Sequence, residues 1–291
     1  MRTRAKLTLF AYQSAARVAQ SLPEAWLPVV GKCVGVAGGW PQREHRRMAA
    51  RHQRRVSGRT DRRVVDEVFA FYGRYWLEIF RIPADVRRGV IAPNWSVDGV
   101  DYISKALDEG HGAILALPHL GGWEWAAAWM AEEGHRMLAV VEALEPPEVL
   151  EWFELQREAM GLEVVALGPD VSTKVLRALR DNRVVCLLAD RDLTGDGVDV
   201  EFFGEPTTLP GGPATLALRT GAAILPVAVY FTPGRGHHAV VRPPLPIDRT
   251  GRLRDDIARI TRLLAAEFEE LIRVHPEQWH LLQPNWPSDR Q

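Results

Sequence analysis

The sequence predicts an α/β protein with a mostly parallel central sheet flanked by helices and preceded by an N-terminal helical segment. Five short apolar runs are typical of buried strands, and they occupy residues 113–118, 136–141, 162–167, 183–190 and 222–231. Helical patterns separate the first four runs. Strands that alternate with helices form parallel sheets covered on both faces. The first eighty residues instead show only helical patterns.

The remaining elements follow from periodicity and breaker residues. Three helices are predicted between the first four strands, at residues 121–134, 146–160 and 170–181. The segment 237–246 predicts an edge strand, because prolines end it. Residues 255–274 form an amphipathic final helix. At the other end of the chain, four helices are expected before residue 83, of which the last, residues 64–82, is rich in aromatic side chains and docks on the core.

The N-terminal quarter of the chain carries most of its positive charge. Residues 1–63 hold fourteen Lys and Arg against three Asp and Glu, so their net charge is near +11, whereas the whole chain has −1. Such an asymmetry predicts an anionic partner. Nucleic acid is disfavoured, because no recognised nucleic-acid motif is present and the remainder of the chain is acidic.

A membrane surface fits this segment better. An amphipathic helix is predicted over residues 4–20, with one apolar face formed by Leu7, Phe10, Ala11, Ser14 and Val18. Such a helix lies in the membrane interface, and each Lys or Arg near an anionic leaflet contributes about 1 kcal/mol. No apolar run reaches the roughly 20 residues that span a bilayer. We therefore expect a peripheral protein on the cytoplasmic face of the cell membrane.

The stretch "AILALPHLGGWEWAAAWM" contains the strongest candidate for chemistry. His119 follows a predicted strand directly, at the edge where open α/β sheets bind ligands. Gly121 and Gly122 allow a close turn, and the next helix begins near Glu124. Glu124 is expected to accept the Nδ1 proton of His119 and to leave Nε2 free as a base. The alternative is a histidine that caps a turn beside a glutamate that complements the helix dipole.

Other chemistries have less support in the sequence. No serine lies in a GxSxG elbow, and no HExxH motif or Cys/His cluster predicts a metal site. No glycine-rich nucleotide loop follows a strand. We therefore expect direct activation of a substrate group by a base, with no metal and no cofactor.

Motifs along nearly the whole chain resemble the bacterial lipid A late acyltransferase superfamily. They are "FAFYGRYWLEIFRIP", "PHLGGWEWAAAW", "EPPEVLEWFELQREAMGLEVVALG", "LLADRDLTGDGVDVEFFGEPTTLPGG" and "HPEQWHLLQPNW", in the order of that family. "PHLGGWE" is similar to its His-x4-Asp/Glu motif. The segments "ADRDL" and "VDVEFFGE", with glutamate at position 124, look most like the actinobacterial phosphatidylinositol mannoside acyltransferases.

The resemblance implies transfer of a fatty acyl chain, such as palmitoyl, from acyl-CoA to a mannose hydroxyl of a phosphatidylinositol mannoside. Acyl-CoA is then a substrate and no cofactor is needed. General-base catalysis by His119 contributes on the order of 10²–10⁴ in rate. Glu124 would fix its tautomer and stabilise the imidazolium. Rival functions are a lipid A-type or other glycolipid acyltransferase, a thioesterase that admits water, and a lipid-binding module without turnover.

The resemblance also implies substrate-binding residues. Glu142 and Arg157 occupy positions that the family uses around the headgroup, and an arginine fork suits phosphate. Asp190, Arg191 and Asp192 follow another strand, where the family lines the acceptor side. The alternatives are a solvated Arg157 or one paired with Glu142, and a structural salt-bridge cluster at 190–192.

Two tryptophans and the domain boundaries complete the predictions. Trp125 and Trp129 lie four residues apart after His119 and are candidates to line an acyl groove, although Trp at this spacing is more often core. Burial of a sixteen-carbon chain there would contribute up to roughly 12 kcal/mol. Residues 1–291 are expected to form one acyltransferase domain, with a membrane-associating part at 1–83 and an α/β catalytic core at 98–291.

Overall fold

The structure, a computed structural model, describes residues 2–142 and 145–290, without the side chains of residues 2–4. Met1, Ala143, Leu144 and Gln291, which belong to segments interpreted above, lie outside the described residues. The strands of the central sheet are β1 Trp95–Asp98, β2 Ala113–Leu117, β3 Met137–Val141, β4 Leu162–Ala166, β5 Val184–Leu188, β8 Ala223–Phe231 and β9 His237–Val241. A separate hairpin consists of β6 Val198–Phe202 and β7 Glu205–Leu209.

Helices surround this sheet and precede it in the chain. Four of them come before the sheet: α1 Arg2–Ser21, α2 Leu27–Gly39, α3 Arg43–Ser57 and α4 Arg62–Arg87. The others are α5 Asp101–Asp108, α6 Trp123–Glu132, α7 Pro147–Glu158, α8 Val171–Arg180, α9 Gly212–Thr220 and α10 Leu253–Val274. The mostly parallel sheet flanked by helices, which the sequence predicts, is confirmed.

The sheet has the strand order β1-β9-β8-β2-β5-β3-β4. Its neighbouring strands are parallel except for β8 and β9. The five predicted internal strands are all present. The prediction of an edge strand at 237–246 is wrong in one respect, because β1 pairs with the outer side of β9.

Side chains from the two faces of each strand enter different parts of the core. On β2, Ile114 and Ala116 belong to one cluster together with Ile260 and Phe268 of α10. The intervening residues of β2 belong to a second cluster with Ile103 of α5 and with side chains of α6. Because β2 is fully buried on both faces, its sequence is uniformly apolar, as is usual for a parallel strand.

The β6–β7 hairpin was not predicted as strands. Its two-residue turn, Phe203-Gly204, has positive φ at both positions, 51° and 73°, which is the backbone that tight hairpins require. The sequence "FFGE" lacks the Asn-Gly or Asp-Gly signal of such turns. Phe202 and Phe203 are both buried, so hydrophobic packing compensates for the uncommon turn residue.

Helices α1 and α2 pack on α4 and keep apolar side chains on their outer faces. The inner face of α1 contains the buried Ala16 and Ala19, whereas Leu7, Phe10 and Val18 on the opposite face are 60–70 % exposed. In α2, Trp26 just before the helix and Val29 within it are also exposed. Within residues 2–142 and 145–290, no helix combines the length and the apolar composition needed to cross a bilayer.

The α2–α4 contact depends on glycine. Gly31, Gly35 and Gly39 recur every four residues on the face of α2 that touches α4, which is the small-residue spacing that permits close helix approach. A Cβ at Gly35 would lie 2.0 Å from the carbonyl oxygen of Phe69. Gly38, one residue before the last of them, faces open space.

We therefore expect Gly35→Ala to lower the free energy of unfolding by about 1–3 kcal/mol, because the backbones of α2 and α4 must separate. Gly38→Ala is the matched control, and it should be neutral or stabilising by up to about 1 kcal/mol through helix propensity. Urea unfolding of both variants measures the difference. Equal stability of the two would contradict close backbone packing at Gly35.

Candidate functional site

His119 and Asp190 are brought together by strand register. β2 and β5 are parallel neighbours in which Leu117 lies opposite Leu188. His119 follows Leu117 by two residues, and Asp190 follows Leu188 by two residues. The two side chains therefore meet at the carboxyl edge of the sheet, where α/β proteins bind ligands.

The imidazole of His119 contacts the carboxylate of Asp190. Its Nδ1 lies 2.6 Å from Asp190 Oδ1, and its backbone N–H donates to Oδ2 at 2.9 Å. The indole N–H of Trp279 donates to the same Oδ2 at 2.8 Å. An ionised carboxylate only accepts, so the proton of neutral His119 sits on Nδ1. Nε2 is left for a substrate, and 36 % of the side chain is exposed.

The pair is electrostatically coupled. Burial lowers the pKa of His119, but the charge and the hydrogen bond of Asp190 outweigh it, so the pKa is raised above its ordinary value. Burial raises the pKa of Asp190, and the charge of His119 with the hydrogen bonds from His119 and Trp279 holds it below the ordinary value instead. Asp190 therefore stays ionised and stabilises an imidazolium.

The expected contact between Glu124 and His119 is wrong in this structure. Glu124 is buried in the first turn of α6, and its Oε1 accepts hydrogen bonds from the Tyr75 hydroxyl at 3.0 Å and from Arg157 Nη2 at 3.2 Å. Burial raises its pKa, although the charge of Arg157 opposes the shift. Glu124 thus faces α4 and α7, and Asp190 takes the position beside Nδ1.

Backbone geometry explains the direction of Glu124. Gly121 has a φ of 61°, and a Cβ there would lie 1.7 Å from the carbonyl oxygen of Val229. The N–H of Gly122 donates to that same carbonyl at 3.1 Å. The backbone is therefore hydrogen-bonded to β8 before α6 begins. Glu124, the second residue of α6, is directed away from the imidazole of His119.

Of the other predicted binding residues, Glu142 and Arg191 lie beside His119, whereas Arg157 and Asp192 are engaged elsewhere. Glu142 and Arg191 form an ion pair of 3.7 Å beside His119. The charge of Arg191 lowers the pKa of His119, and the charge of Glu142 raises it.

Arg157 pairs with Glu124, and not with Glu142 as the alternative interpretation had it. Asp192 accepts from the backbone N–H groups of Thr194, Gly195 and Gly197 and from the Thr208 hydroxyl, so it holds its own loop together.

The prediction that Trp125 and Trp129 line an acyl groove is not supported by their packing. Trp125 is fully buried and stacks on His237 with 4.3 Å between ring centroids. Trp129 is half-buried and stacks on Trp95 at 5.3 Å. Trp125 is therefore a core residue, which corrects the groove prediction for it, whereas the groove role of the half-buried Trp129 stays a prediction.

Comparison of the sequence with known proteins identifies its family. The model of the bacterial lipid A biosynthesis acyltransferases covers residues 2–288. The chain belongs to this acyltransferase family. A phosphatidylinositol mannoside acyltransferase of Mycolicibacterium smegmatis is 38 % identical over an alignment of 294 positions, which covers 98 % of this chain and 93 % of that protein. One of Mycobacterium tuberculosis is 45 % identical over 222 residues, 75 % of this chain and 68 % of the relative.

Three residues at the candidate site were not predicted. Tyr75 comes from the aromatic helix α4, and Trp279 and His280 come from the C-terminal "HPEQWHLLQPNW" segment. His280 is buried, and burial together with the charge of His119 lowers its pKa to about 3, so it is neutral. The sequence signal that could have indicated Trp279 and His280 is the presence of a tryptophan and a histidine side by side in a polar C-terminal segment.

Metal binding finds no support in the part of the chain that the structure describes. There, no group of three or more His, Cys, Asp or Glu side chains has an arrangement that could hold an ion. The buried Cys186 is also no reactive group, because burial, assisted by the charge of Glu124, raises its pKa to about 12.

Replacement of Asp190 tests which acid is coupled to His119. In Asp190→Asn, we expect the pKa of His119 to fall below its ordinary value, because the burial that lowers it is no longer opposed by the charge and hydrogen bond of Asp190, and the smaller effect of Glu142 is countered by Arg191. Glu124→Gln is the control and should leave the titration of His119 nearly unchanged. Histidine-selective NMR titration measures both. A large shift in Glu124→Gln with none in Asp190→Asn would restore Glu124 as the partner.

Proposed function

We propose that this protein is a membrane-associated glycolipid acyltransferase. It moves a fatty acyl chain, such as palmitoyl, from acyl-CoA to a mannose hydroxyl of a phosphatidylinositol mannoside. Family membership supports acyl transfer, and the names of the relatives support this acceptor. Acyl-CoA is a substrate in this proposal, and no cofactor takes part.

The observation that carries the proposal is the His119–Asp190 pair with its available Nε2. Nε2 accepts the proton of the acceptor hydroxyl while the hydroxyl oxygen attacks the thioester carbonyl carbon. A C–O bond forms, the C–S bond breaks, and the departing thiolate takes the proton from Nε2. Asp190 stabilises the imidazolium between these two steps without taking its proton.

Unpartnered polar atoms around Tyr75 fit an acceptor rich in hydroxyl groups. Oε2 of Glu124, Nε of Arg157 and Nε2 of His280 are buried and have no hydrogen-bond partner among the described residues. Tyr75 connects them, because its hydroxyl bonds Glu124 and its ring lies 5.2 Å from that of His280. Sugar hydroxyls both donate and accept, so they satisfy such atoms and remove the cost of leaving them unpaired. Glu142 and Arg191 extend this polar surface.

The N-terminal helices supply a surface for the membrane in this proposal. The exposed Leu7, Phe10 and Val18 of α1 suit insertion into an interface, and exposed arginines of α3 such as Arg47 and Arg54 suit anionic lipid. We place this surface on the cytoplasmic face of the cell membrane. Residues 1–83 would then be the membrane-associating part of one acyltransferase domain spanning 1–291, with the catalytic core at 98–291.

His119→Ala should lower acyl transfer by on the order of 10²–10⁴, because the general base is lost. Purified protein, palmitoyl-CoA and a panel of phosphatidylinositol mannosides and lipid A precursors are analysed by mass spectrometry. The control is His238→Ala, which should retain activity. It removes a histidine of β9 that is hydrogen-bonded to Ser96 of β1.

The products separate the rival functions. Free palmitate without acylated lipid would indicate a thioesterase, and acylated lipid A precursor would indicate a different acceptor. Transfer by His119→Ala at the wild-type rate would remove His119 from the mechanism.

Binding to anionic vesicles should depend on the basic face of α3. Replacing Arg47 and Arg54 by Ala is expected to weaken binding roughly 30-fold, since each contributes about 1 kcal/mol near an anionic leaflet. Arg177 and Arg180 of α8, replaced together by Ala, are the control with the same loss of charge. Co-sedimentation at low and high salt measures the effect. Equal binding to neutral and anionic vesicles would contradict electrostatic docking.

A further inference from the structure

The C-terminal segment from Gln278 to Asn285 holds the His119–Asp190 pair from the side opposite to the strands. Leu120 and Trp279 form an antiparallel bridge. The N–H of His280 donates to the carbonyl of His119 at 2.7 Å, and the N–H of Gly121 donates to the carbonyl of Gln278 at 3.0 Å. The backbone on both sides of Leu120 is therefore hydrogen-bonded to this segment.

The same segment holds Asp190. The Trp279 indole N–H bonds its Oδ2 at 2.8 Å, and the Asn285 side-chain amide donates to its backbone carbonyl at 3.0 Å. Gln278 anchors the segment in turn, because its side chain bonds both the N–H and the carbonyl of Phe231. Backbone and side chain of the pair are thus fixed by one stretch of chain.

Trp279 itself has little freedom to move. It is 1 % exposed, and its ring packs against that of His52 with 5.3 Å between centroids. His52 is held by the Leu281 carbonyl through Nδ1 at 2.9 Å and by Asp289 through Nε2 at 3.3 Å. A donor fixed on all sides defines one orientation for the carboxylate that it contacts.

We infer that Trp279 is a positioning residue for the acyl transfer proposed above, and that its indole N–H orients the Asp190 carboxylate toward Nδ1 of His119. This inference rests on the proposed function for its catalytic consequence. Oδ2 is kept by two donors, Trp279 and the backbone of His119, so Oδ1 alone faces the imidazole. Without the indole donor, the carboxylate and the imidazole stay hydrogen-bonded to each other but can move together, so Nε2 loses its fixed direction.

A matched pair of tryptophans allows a sharp test. Trp286 is also 1 % exposed, lies 6.3 Å from Trp279 between ring centroids, and donates its indole N–H to the carbonyl of Phe202, not to Asp190. Trp279→Phe and Trp286→Phe remove the same donor from neighbouring core positions. Their effects on thermal stability should be similar, whereas their effects on His119 should differ.

In Trp279→Phe, we expect kcat with palmitoyl-CoA and glycolipid acceptor to fall by on the order of 10-fold to 100-fold, as misplaced reacting groups do, with little change in KM. The acid limb of the kcat/KM profile should move to higher pH. A carboxylate that has lost a donor holds the Nδ1 proton more strongly, so the imidazolium of His119 persists to higher pH. The other charged or titratable groups that face His119, which are Arg191, Glu142 and His280, are unchanged in the variant.

Histidine-selective NMR titration gives a second readout that needs no turnover. An upward shift of the His119 titration in Trp279→Phe, absent in Trp286→Phe, supports the inference. Identical kcat and identical His119 titration in the two variants would overturn it. If wild-type protein shows no acyl transfer, the proposed function fails, and the titration alone still decides whether Trp279 positions the pair.

A variant of equal volume guards against loss of folding. Benzothienylalanine at position 279 keeps the bicyclic shape and replaces the N–H by sulfur. It should reproduce the kinetic and titration changes of Trp279→Phe while the bicyclic ring keeps its packing in the core. Wild-type behaviour of this variant would show that the ring, and not its donor, is required, which overturns the inference.

Discussion

The register between β2 and β5 is the constraint on which the rest of the site depends. It places a buried carboxylate beside a half-exposed imidazole, and a buried carboxylate is costly unless donors surround it. Asp190 has three of them, from the His119 ring, the His119 backbone and Trp279. Two of these donors belong to His119 after β2 and the third to the C-terminal segment, so β5, the turn after β2 and the C-terminal segment must all be in place together.

Helix α4 connects this site with the N-terminal helices. Its Arg81 donates to the carbonyls of Ala19, Gln20 and Leu22 at the end of α1, which satisfies carbonyl groups that a helix end leaves unpaired. Arg81 also pairs with Asp85, which contacts Arg235 of the β8–β9 loop. Tyr75, on the same helix, reaches Glu124. Helix α4 therefore links α1, with its exposed apolar face, to the part of the site that holds Glu124.

The sequence predicted the secondary-structure elements better than the contacts between them. Strands β2, β3, β4, β5 and β8 were evident because apolar runs bounded by breakers need no knowledge of pairing. The contact of His119 was assigned to Glu124 because the two are close in sequence. A one-dimensional pattern does not contain the order in which β5 inserts between β2 and β3. Asp190, 71 residues away, was therefore expected among acceptor ligands and not at Nδ1.

The same reasoning failed for Trp125 and for the short strands. Spacing alone does not show whether Trp125 faces a groove or His237, since the answer depends on β9 in another part of the chain. β1 is four residues long and only half buried, so it leaves almost no period to detect. The β6–β7 hairpin depends on burial of Phe202 and not on a turn motif. In each case, tertiary packing decided what local pattern left open.

The surroundings of Asp190 and Glu124 shift the pKa values of these two carboxyl groups in opposite directions. Donors hold the pKa of Asp190 below its ordinary value, whereas burial raises the pKa of Glu124 even with Arg157 beside it. Such a division is how one site supports two different acid–base tasks. Asp190 keeps the permanent charge that an imidazolium needs. Glu124, which takes up a proton more readily, has an Oε2 without a partner among the described residues, and this oxygen can accept a hydrogen bond when ionised and donate one when protonated. The position expected for Glu124, beside Nδ1 of His119, therefore belongs to Asp190, and Glu124 is a second carboxyl group with its own protonation behaviour.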